Sequence, residues 1–410
     1  MHSANTSYTA ADYIQLEDRY NAHNYHPLPV VLKRGEGVFC WDIDDNKYFD
    51  FLSGYSAVNQ GHCHPKIIEA LTKQATQLTL TSKAFYNDKL GPYALFITQY
   101  FGYHKVLPMN TGVEAVETAI KLCRKWAYEK KGIPENEAQI LVFEENFHGR
   151  TSTVISFSTD VGSKSNFGPF MPGFITVPYN DVEALERMIS QPNIAGVLIE
   201  PIQGEAGVVV PDEGYLKKVA LACKQARILL IADEIQTGLG RTGKKLACDH
   251  EEVRPDILIL GKALSGGVLP ISAVLADDEI MMTLQPGQHG STFGGNPLAC
   301  AVAQVALEVL EDEGLSANAA AMGQLFREKL AQLENPHLKT IRGKGLLNAI
   351  VIEHPDREAA WNLCLAMKDR GLLAKPTHGD KIRLAPPLCI TKEQIEESIE
   401  IIRHSLQIFN

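Results

Sequence analysis

Two short apolar runs constrain this chain more than anything else in it. Ile228–Ala232 is stopped by Asp233-Glu234, and Ile257–Leu260 is stopped by Gly261-Lys262. Short runs of leucine and β-branched residues read as strands of a parallel sheet, buried by helices on both faces. Ligands of such sheets bind in the crevice beyond the carboxyl ends of the strands. Asp233 and Lys262 would both stand at that edge. An acid and an amine ending neighbouring buried strands point to a site.

The two residue types have complementary chemistry. A lysine ammonium is a poor nucleophile, with an unperturbed pKa of about 10.4. Burial lowers it and supplies the free amine needed for a Schiff base with a carbonyl. Pyridoxal 5'-phosphate offers such a carbonyl, and its ring works as an electron sink while the ring nitrogen stays protonated. A buried carboxylate opposite that nitrogen keeps the proton there. A surface lysine and an unengaged aspartate would present the same two letters, so the neighbourhood has to decide.

That neighbourhood holds Gly261-Lys262-Ala-Leu-Ser-Gly-Gly267, Ala232-Asp233-Glu234-Ile-Gln236-Thr-Gly238, Asn110-Thr-Gly112 and Gly290-Ser-Thr-Phe-Gly-Gly-Asn-Pro297. In that combination and order the chain resembles the class III, fold-type I aminotransferases. The denser motifs Tyr55–His64, Asn146–Thr151, Glu200–Ala206 and Lys375–Asp380 extend the resemblance from about Tyr13 to the end, and place it nearest the ornithine-using branch.

The composition excludes several classes. Aspartate and glutamate number 49 against 39 lysines and arginines, a formal charge of −10. Nucleic-acid and anionic-membrane surfaces need the opposite sign. No apolar run approaches the roughly 18 residues of a spanning helix. The opening Met1–Ser7 has neither an apolar core nor an arginine-rich pattern, so a cytoplasmic location is expected. The eight cysteines are scattered, without a Cys-x-x-Cys pair. His62-Cys63-His64 has no second cluster to complete a tetrahedral set, so no metal is expected.

In chain order, a polar opening precedes Val30–Phe51, whose alternation and turns predict a β-meander. Helices are predicted over 65–77 and 88–101. Strands at 106–109, 140–143, 154–157, 175–177 and 197–199 then alternate with helices over 113–130, 181–189 and 215–226, the pattern of a mostly parallel α/β sheet. A long helix from Asn296-Pro297 to about Glu313 leads into a mixed tail. There, strands near 338–341, 346–352, 372–375 and 381–384 flank a helix over 356–370. Thr391-x-x-Gln394 opens a last helix as a capping box. The expected division is 1–45, packing with the small domain; 46–305, a large domain with a seven-stranded-type sheet; and 306–410, a small α+β domain.

Gly238-Leu-Gly240-Arg-Thr-Gly243 matches the dinucleotide fingerprint and, with Lys244, nearly matches an NTPase phosphate loop. Position 245 is lysine, where magnesium needs a hydroxyl, and the first glycine stands too far beyond the strand. The segment is read as an ordinary loop.

The resemblance implies the remaining roles. Lys262 would be the Schiff-base lysine and proton shuttle, with Asp233 at the pyridinium. Phe147 would stack on the ring and Gln236 would contact its phenolic oxygen. Thr111, Gly112 and Val113 would hold the phosphate, joined by Ser291 and Thr292 from the other subunit of a homodimer. Arg150 would bind the α-carboxylate of ornithine and Arg383 that of glutamate or 2-oxoglutarate, a task suited to a planar, bidentate guanidinium. Glu205 would neutralise Arg383 while ornithine is bound, and Tyr25 and Tyr55 would receive the α-amino end. The implied reaction is ping-pong transfer of the δ-amino group to 2-oxoglutarate. The alternatives are an acetylornithine or 4-aminobutyrate enzyme of the same class, or a non-catalytic binding protein on the same fold.

Overall fold

Alternate residues of a strand face opposite ways, so a strand buried on both faces needs an apolar partner on each. The computed structural model, which describes residues 8–409, meets that need with two apolar layers. Ile231 of Leu229–Asp233 and Ile257 and Ile259 of Ile257–Leu260 pack toward the helix Gly112–Trp126. Leu230, Ala232, Leu258 and Leu260 pack the other way, with the helices Tyr215–Ala226 and Pro297–Asp312. Leu258 is fully buried, so truncating it to alanine would cost about 2–5 kcal/mol.

Three sheets organise the chain. Strands β1 (Leu32–Glu36), β2 (Phe39–Asp42) and β3 (Lys47–Asp50) form the meander expected from the alternation. The large sheet follows with β4 (Lys105–Met109), β5 (Gln139–Phe143), β6 (Phe174–Val177), β7 (Ile194–Ile199), β8 (Leu229–Asp233), β9 (Ile257–Leu260) and β10 (Ser272–Ala276). Its spatial order is β4-β10-β9-β8-β7-β5-β6. All its strands run one way except β10, which is antiparallel to both neighbours. The tail supplies β11 (Leu338–Lys344), β12 (Leu347–Ile352), β13 (Leu372–Leu373), β14 (Lys375–Thr377) and β15 (Lys381–Leu384). The third sheet has the order β11-β12-β15-β14, which puts β15 and its Arg383 in the interior.

The two chain ends meet. Strand β13 pairs in parallel with β3, Leu372 opposite Phe49 and Leu373 opposite Asp50. The His26 and Trp361 rings lie 4.6 Å apart.

Several expectations are corrected. Residues 154–157 are not a strand: Ser152–Ser156 is a helical turn, with Val154 and Ile155 buried. Short apolar runs fit either structure, and β5 already has β6 and β7 as neighbours. The polar opening contains the helix Ala10–Tyr20, capped by Thr9 and Asp12, with no buried residue to signal it. Strand β10 was not foreseen. The segment 372–375 divides between two sheets. Met1–Ser7, read above for targeting signals, lies outside the described residues.

Candidate active site

Strands β8 and β9 are parallel neighbours, with Asp233 opposite Ile259, so their carboxyl ends open on one crevice. Asp233 is the last residue of β8, and Lys262 follows β9 after Gly261. Lys262 has φ +44, a left-handed backbone rare for lysine and of the kind that concentrates at functional sites. Burial lowers its pKa to about 8, with Glu205 opposing and Arg383 assisting. About half of the amine is therefore uncharged at pH 8.

Asp233 is buried and held on both oxygens. Oδ1 accepts from the Ile235 amide at 3.1 Å, and Oδ2 lies 2.7 Å from Nδ1 of His148. Burial pulls the His148 pKa down, but the contact with Asp233 outweighs it and the net shift is upward. Its Nε2 is buried without a partner among the described residues. Glu200 fixes the same loop from below, its Oε2 accepting from the Phe147 amide at 2.9 Å. Burial pushes the Glu200 carboxyl up to about 7.

These residues enclose an inner chamber of about 190 Å³, lined also by Gly112, Val113 and Gln236. Thr111 caps the helix Gly112–Trp126 and completes a capping box with Glu114. A helix cannot satisfy its own first amides, which makes this terminus a cradle for an anion. The chamber wall is tight. A Cβ on Gly112 would meet Ile235 at 2.9 Å, and one on Gly149 would meet Val113 at 2.3 Å. A free amine, a paired carboxylate, an unpartnered buried imidazole nitrogen and an anion cradle fit a flat, phosphate-bearing carbonyl cofactor.

The chamber opens past Phe147 and Lys262 into an outer cavity of about 700 Å³ lined by Tyr25, Tyr55, Arg150, Glu205 and Arg383. Arg383, almost fully buried, donates from Nη1 to Glu205 at 2.6 Å and to Gln236 Oε1 at 3.2 Å. Gln236 Nε2 donates to Glu205 at 3.0 Å. Burial works to raise the Glu205 pKa, but Arg383 and Lys262 outweigh it and hold the carboxylate below its usual range. The Tyr55 ring stacks over Arg383, 5.0 Å from its guanidinium carbon. Tyr55 lies in a left-handed turn, Ser53–Ser56, a conformation that costs roughly 1–2 kcal/mol for each non-glycine residue. Tyr25 is largely exposed, 5.9 Å from the Lys375 ammonium.

The fold thus gathers Lys262, Asp233, Gly112, Val113, Phe147, Gln236, Tyr25, Tyr55, Arg150, Glu205 and Arg383 around two connected spaces. Ser291 and Thr292 are not among their walls. Ser291 Oγ accepts from Asn110 at 2.6 Å, and Thr292 is exposed. His148 and Glu200 were missed as functional candidates. They stand in recognised motifs, but nothing in the sequence joins His148 to a carboxylate 85 positions away.

Two further motifs take definite places in the fold. The glycine loop 238–243 is packed solid, with Gly240 against Leu388 and Gly243 against Ala320. Its Arg241, fully buried, bonds Asn59 and the carbonyls of Leu346 and Pro386, tying three loops together and leaving no phosphate contact. In the histidine pair, His62 Nε2 lies 2.8 Å from Asp50 and 3.3 Å from Cys40. The fold therefore gathers Cys40, Asp50 and His62, a cluster that the spacing of His62-Cys63-His64 did not reveal, while His64 turns away to lie 2.9 Å from Glu313.

A lysine and a carboxylate at the carboxyl edge of a parallel-dominated sheet, with Arg383 of the third sheet paired to Glu205 beside them, make the site of an amino-group transferase. The chain belongs to the class III aminotransferases, whose family profile matches residues 20–406. It is 59% identical over 401 residues to the mitochondrial ornithine aminotransferase of Rattus norvegicus, covering 98% of this chain and 91% of that protein. The solved acetylornithine aminotransferase of Elizabethkingia anophelis is 57% identical, with a TM-score of 0.91 over 98% of this chain and 100% of that one. An ornithine aminotransferase structure from Toxoplasma gondii, described as showing partial occupancy of PLP at its active site, is 50% identical. Its TM-score is 0.96, over 98% of this chain and 94% of that one.

Proposed function

We propose that the chain is a pyridoxal-phosphate-dependent ornithine 5-aminotransferase, passing the δ-amino group of ornithine to 2-oxoglutarate. The observation that carries the substrate assignment is Arg383 bonded to Glu205 at 2.6 Å beneath Tyr55. An arginine neutralised in this way tolerates a cationic substrate amine nearby. Released, it takes a second carboxylate.

The residues present fit the cofactor, and each has a task. Lys262 would hold it covalently, Asp233 would keep the ring nitrogen protonated, and Phe147 would cover the ring face. Gln236 would reach the phenolic oxygen. Thr111, Gly112 and Val113 would hold the phosphate, with Ser291 and Thr292 of the partner subunit completing it in a homodimer. When bound, pyridoxal 5'-phosphate supplies the carbonyl that exchanges amino groups and the ring that absorbs the released electron pair.

The chain supplies position and proton transfer. Arg150 binds the α-carboxylate of ornithine at the outer cavity, and Tyr25 and Tyr55 receive its α-amino group, which leaves the δ-carbon facing Lys262. The Lys262 amine, uncharged through burial, takes a proton from that carbon and returns it one position along. His148 holds Asp233 in place throughout. Glu205 then yields Arg383 to the carboxylate of 2-oxoglutarate, and the same steps run in reverse to release glutamate. The semialdehyde product of ornithine cyclises to pyrroline-5-carboxylate, which feeds proline biosynthesis.

Turnover of ornithine, N-acetylornithine and 4-aminobutyrate with 2-oxoglutarate tests this reading. Ornithine is expected to dominate. Dominance of N-acetylornithine would move the chain to the acetylornithine branch, which the Elizabethkingia similarity makes the necessary comparison. The net charge of −10 supports small-molecule partners rather than nucleic acid. No helix among the described residues is long and apolar enough to cross a membrane. The sequence reading favours the cytoplasm, whereas the rat relative is named as mitochondrial, and cell fractionation separates the two. The division into 1–45, 46–305 and 306–410 is also proposed. The His26–Trp361 contact at 4.6 Å supports the association of the first segment with the tail, the β3–β13 pairing carries that association past residue 45, and the helix Pro297–Asp312 spans the second boundary.

A further inference from the structure

Ser53, Gly54, Tyr55 and Ser56 have φ of +49, +55, +61 and +71, four consecutive left-handed residues of which three are not glycine. Such a turn is unfavourable by itself and persists where its surroundings over-determine it. The serines gain nothing from it, since both hydroxyls are buried without a partner among the described residues. Its product is the placement of Tyr55, whose ring covers Arg383 at the mouth of the inner chamber.

The device that holds the turn is visible. Asp50, at the end of β3, accepts on Oδ1 from the amides of Leu52 at 2.9 Å and Ser53 at 2.8 Å, the two donors that enter the turn. Its Oδ2 lies 2.8 Å from Nε2 of His62, where the chain leaves the same loop. His62 is pinned to the meander by backbone bonds with Gly37 in both directions, 2.8 and 3.1 Å. Gly35 leaves room for its ring, since a Cβ there would come within 2.8 Å of it. One carboxylate therefore ties the entry of the loop to its exit, on a strand paired with β13.

We propose that Asp50, braced by His62, is a positioning residue that holds the left-handed turn Ser53–Ser56 and so sets Tyr55 as a selector of the incoming amine. This rests on the proposed role of Tyr55 in receiving substrate. Neither Asp50 nor His62 lines the outer cavity, so their effect has to pass through the turn.

The test uses the cofactor-loaded enzyme with 3-fluorotyrosine at position 55, read by fluorine NMR, alongside kinetics. Asp50→Asn and, as a milder second variant, His62→Gln are expected to shift or split the fluorine signal. They should raise the KM for ornithine about tenfold with kcat nearly unchanged, and narrow the preference for ornithine over N-acetylornithine by a similar factor. Adding Ser56→Gly to Asp50→Asn should restore both, because glycine adopts the left-handed conformation freely. Asp50→Asn should also add little to Tyr55→Phe, as residues acting through one another are non-additive. A fluorine signal unmoved in both variants, or full additivity with Tyr55→Phe, overturns the part given to Asp50. A Tyr55→Phe enzyme that selects ornithine as the parent does overturns the reading of Tyr55 instead, while the fluorine signal still judges Asp50.

Discussion

Replacing Glu205 by glutamine removes one charge and little else, which makes it the sharpest probe of the gate. In the parent, Arg383 is bonded to Glu205 at 2.6 Å and is almost wholly buried. Without the carboxylate, the guanidinium presents its full charge to the outer cavity. A substrate ammonium about 5 Å away, at an effective dielectric near 20, is then repelled by about 3 kcal/mol. At about 1.4 kcal/mol per factor of ten, the ornithine half-reaction should slow about 100-fold in kcat/KM. The glutamate half-reaction needs Arg383 unpaired, so it should stay within about threefold of the parent or improve. Stopped-flow absorbance of the bound cofactor, with ornithine alone and then glutamate alone, reads the two halves separately. Equal loss in both would show general damage, and an unchanged ornithine rate would remove Glu205 from the gate. Either result refutes the argument.

Arg150→Lys keeps a charge at the outer cavity but loses the planar fork. The KM for ornithine should rise about tenfold with little change in kcat, and steady-state kinetics checks it. Capture of pyridoxal phosphate by the apoenzyme should accelerate as pH rises, with its midpoint near pH 8, where the Lys262 amine is half uncharged, and then level off. A rate still climbing near pH 10 would mean an ordinary lysine. Glu200 keeps its proton up to about pH 7 when folded, against 4.5 for an ordinary glutamate in the unfolded chain. The native state therefore binds the extra proton between those values, and stability falls as pH rises through that window. Glu200→Gln should flatten this slope in thermal melts across pH 4.5–7, and an unchanged slope would refute the assignment.

How much of this was legible in the sequence depends on the range of the interaction involved. The buried runs ending at Asp233 and Lys262 could be read locally, because a strand covered on both faces must be apolar throughout. The capping box at Thr391 was equally local, and it is present. Strand β10 lacked the alternating neighbours that marked the others, since it enters the sheet antiparallel between β4 and β9. Val154–Phe157 had strand-like letters, yet the loop from Asn146 turns it into a helical turn. The partnership of His148 with Asp233, the bracing of Phe147 by Glu200 and the left-handed turn at Tyr55 were invisible. Each depends on residues brought together only by the folded sheets. Gly54 alone carried a conformational hint, and its three neighbours carried none.

The central claim is that an uncharged amine at position 262 holds the cofactor carbonyl opposite Asp233. Borohydride reduction of the cofactor-loaded protein, followed by peptide mass analysis, tests it most directly. The account predicts a single reduced adduct on Lys262, absent from Lys262→Ala together with transamination of ornithine. An adduct on another lysine, or a Lys262→Ala enzyme turning over ornithine at the parent's rate, would contradict it.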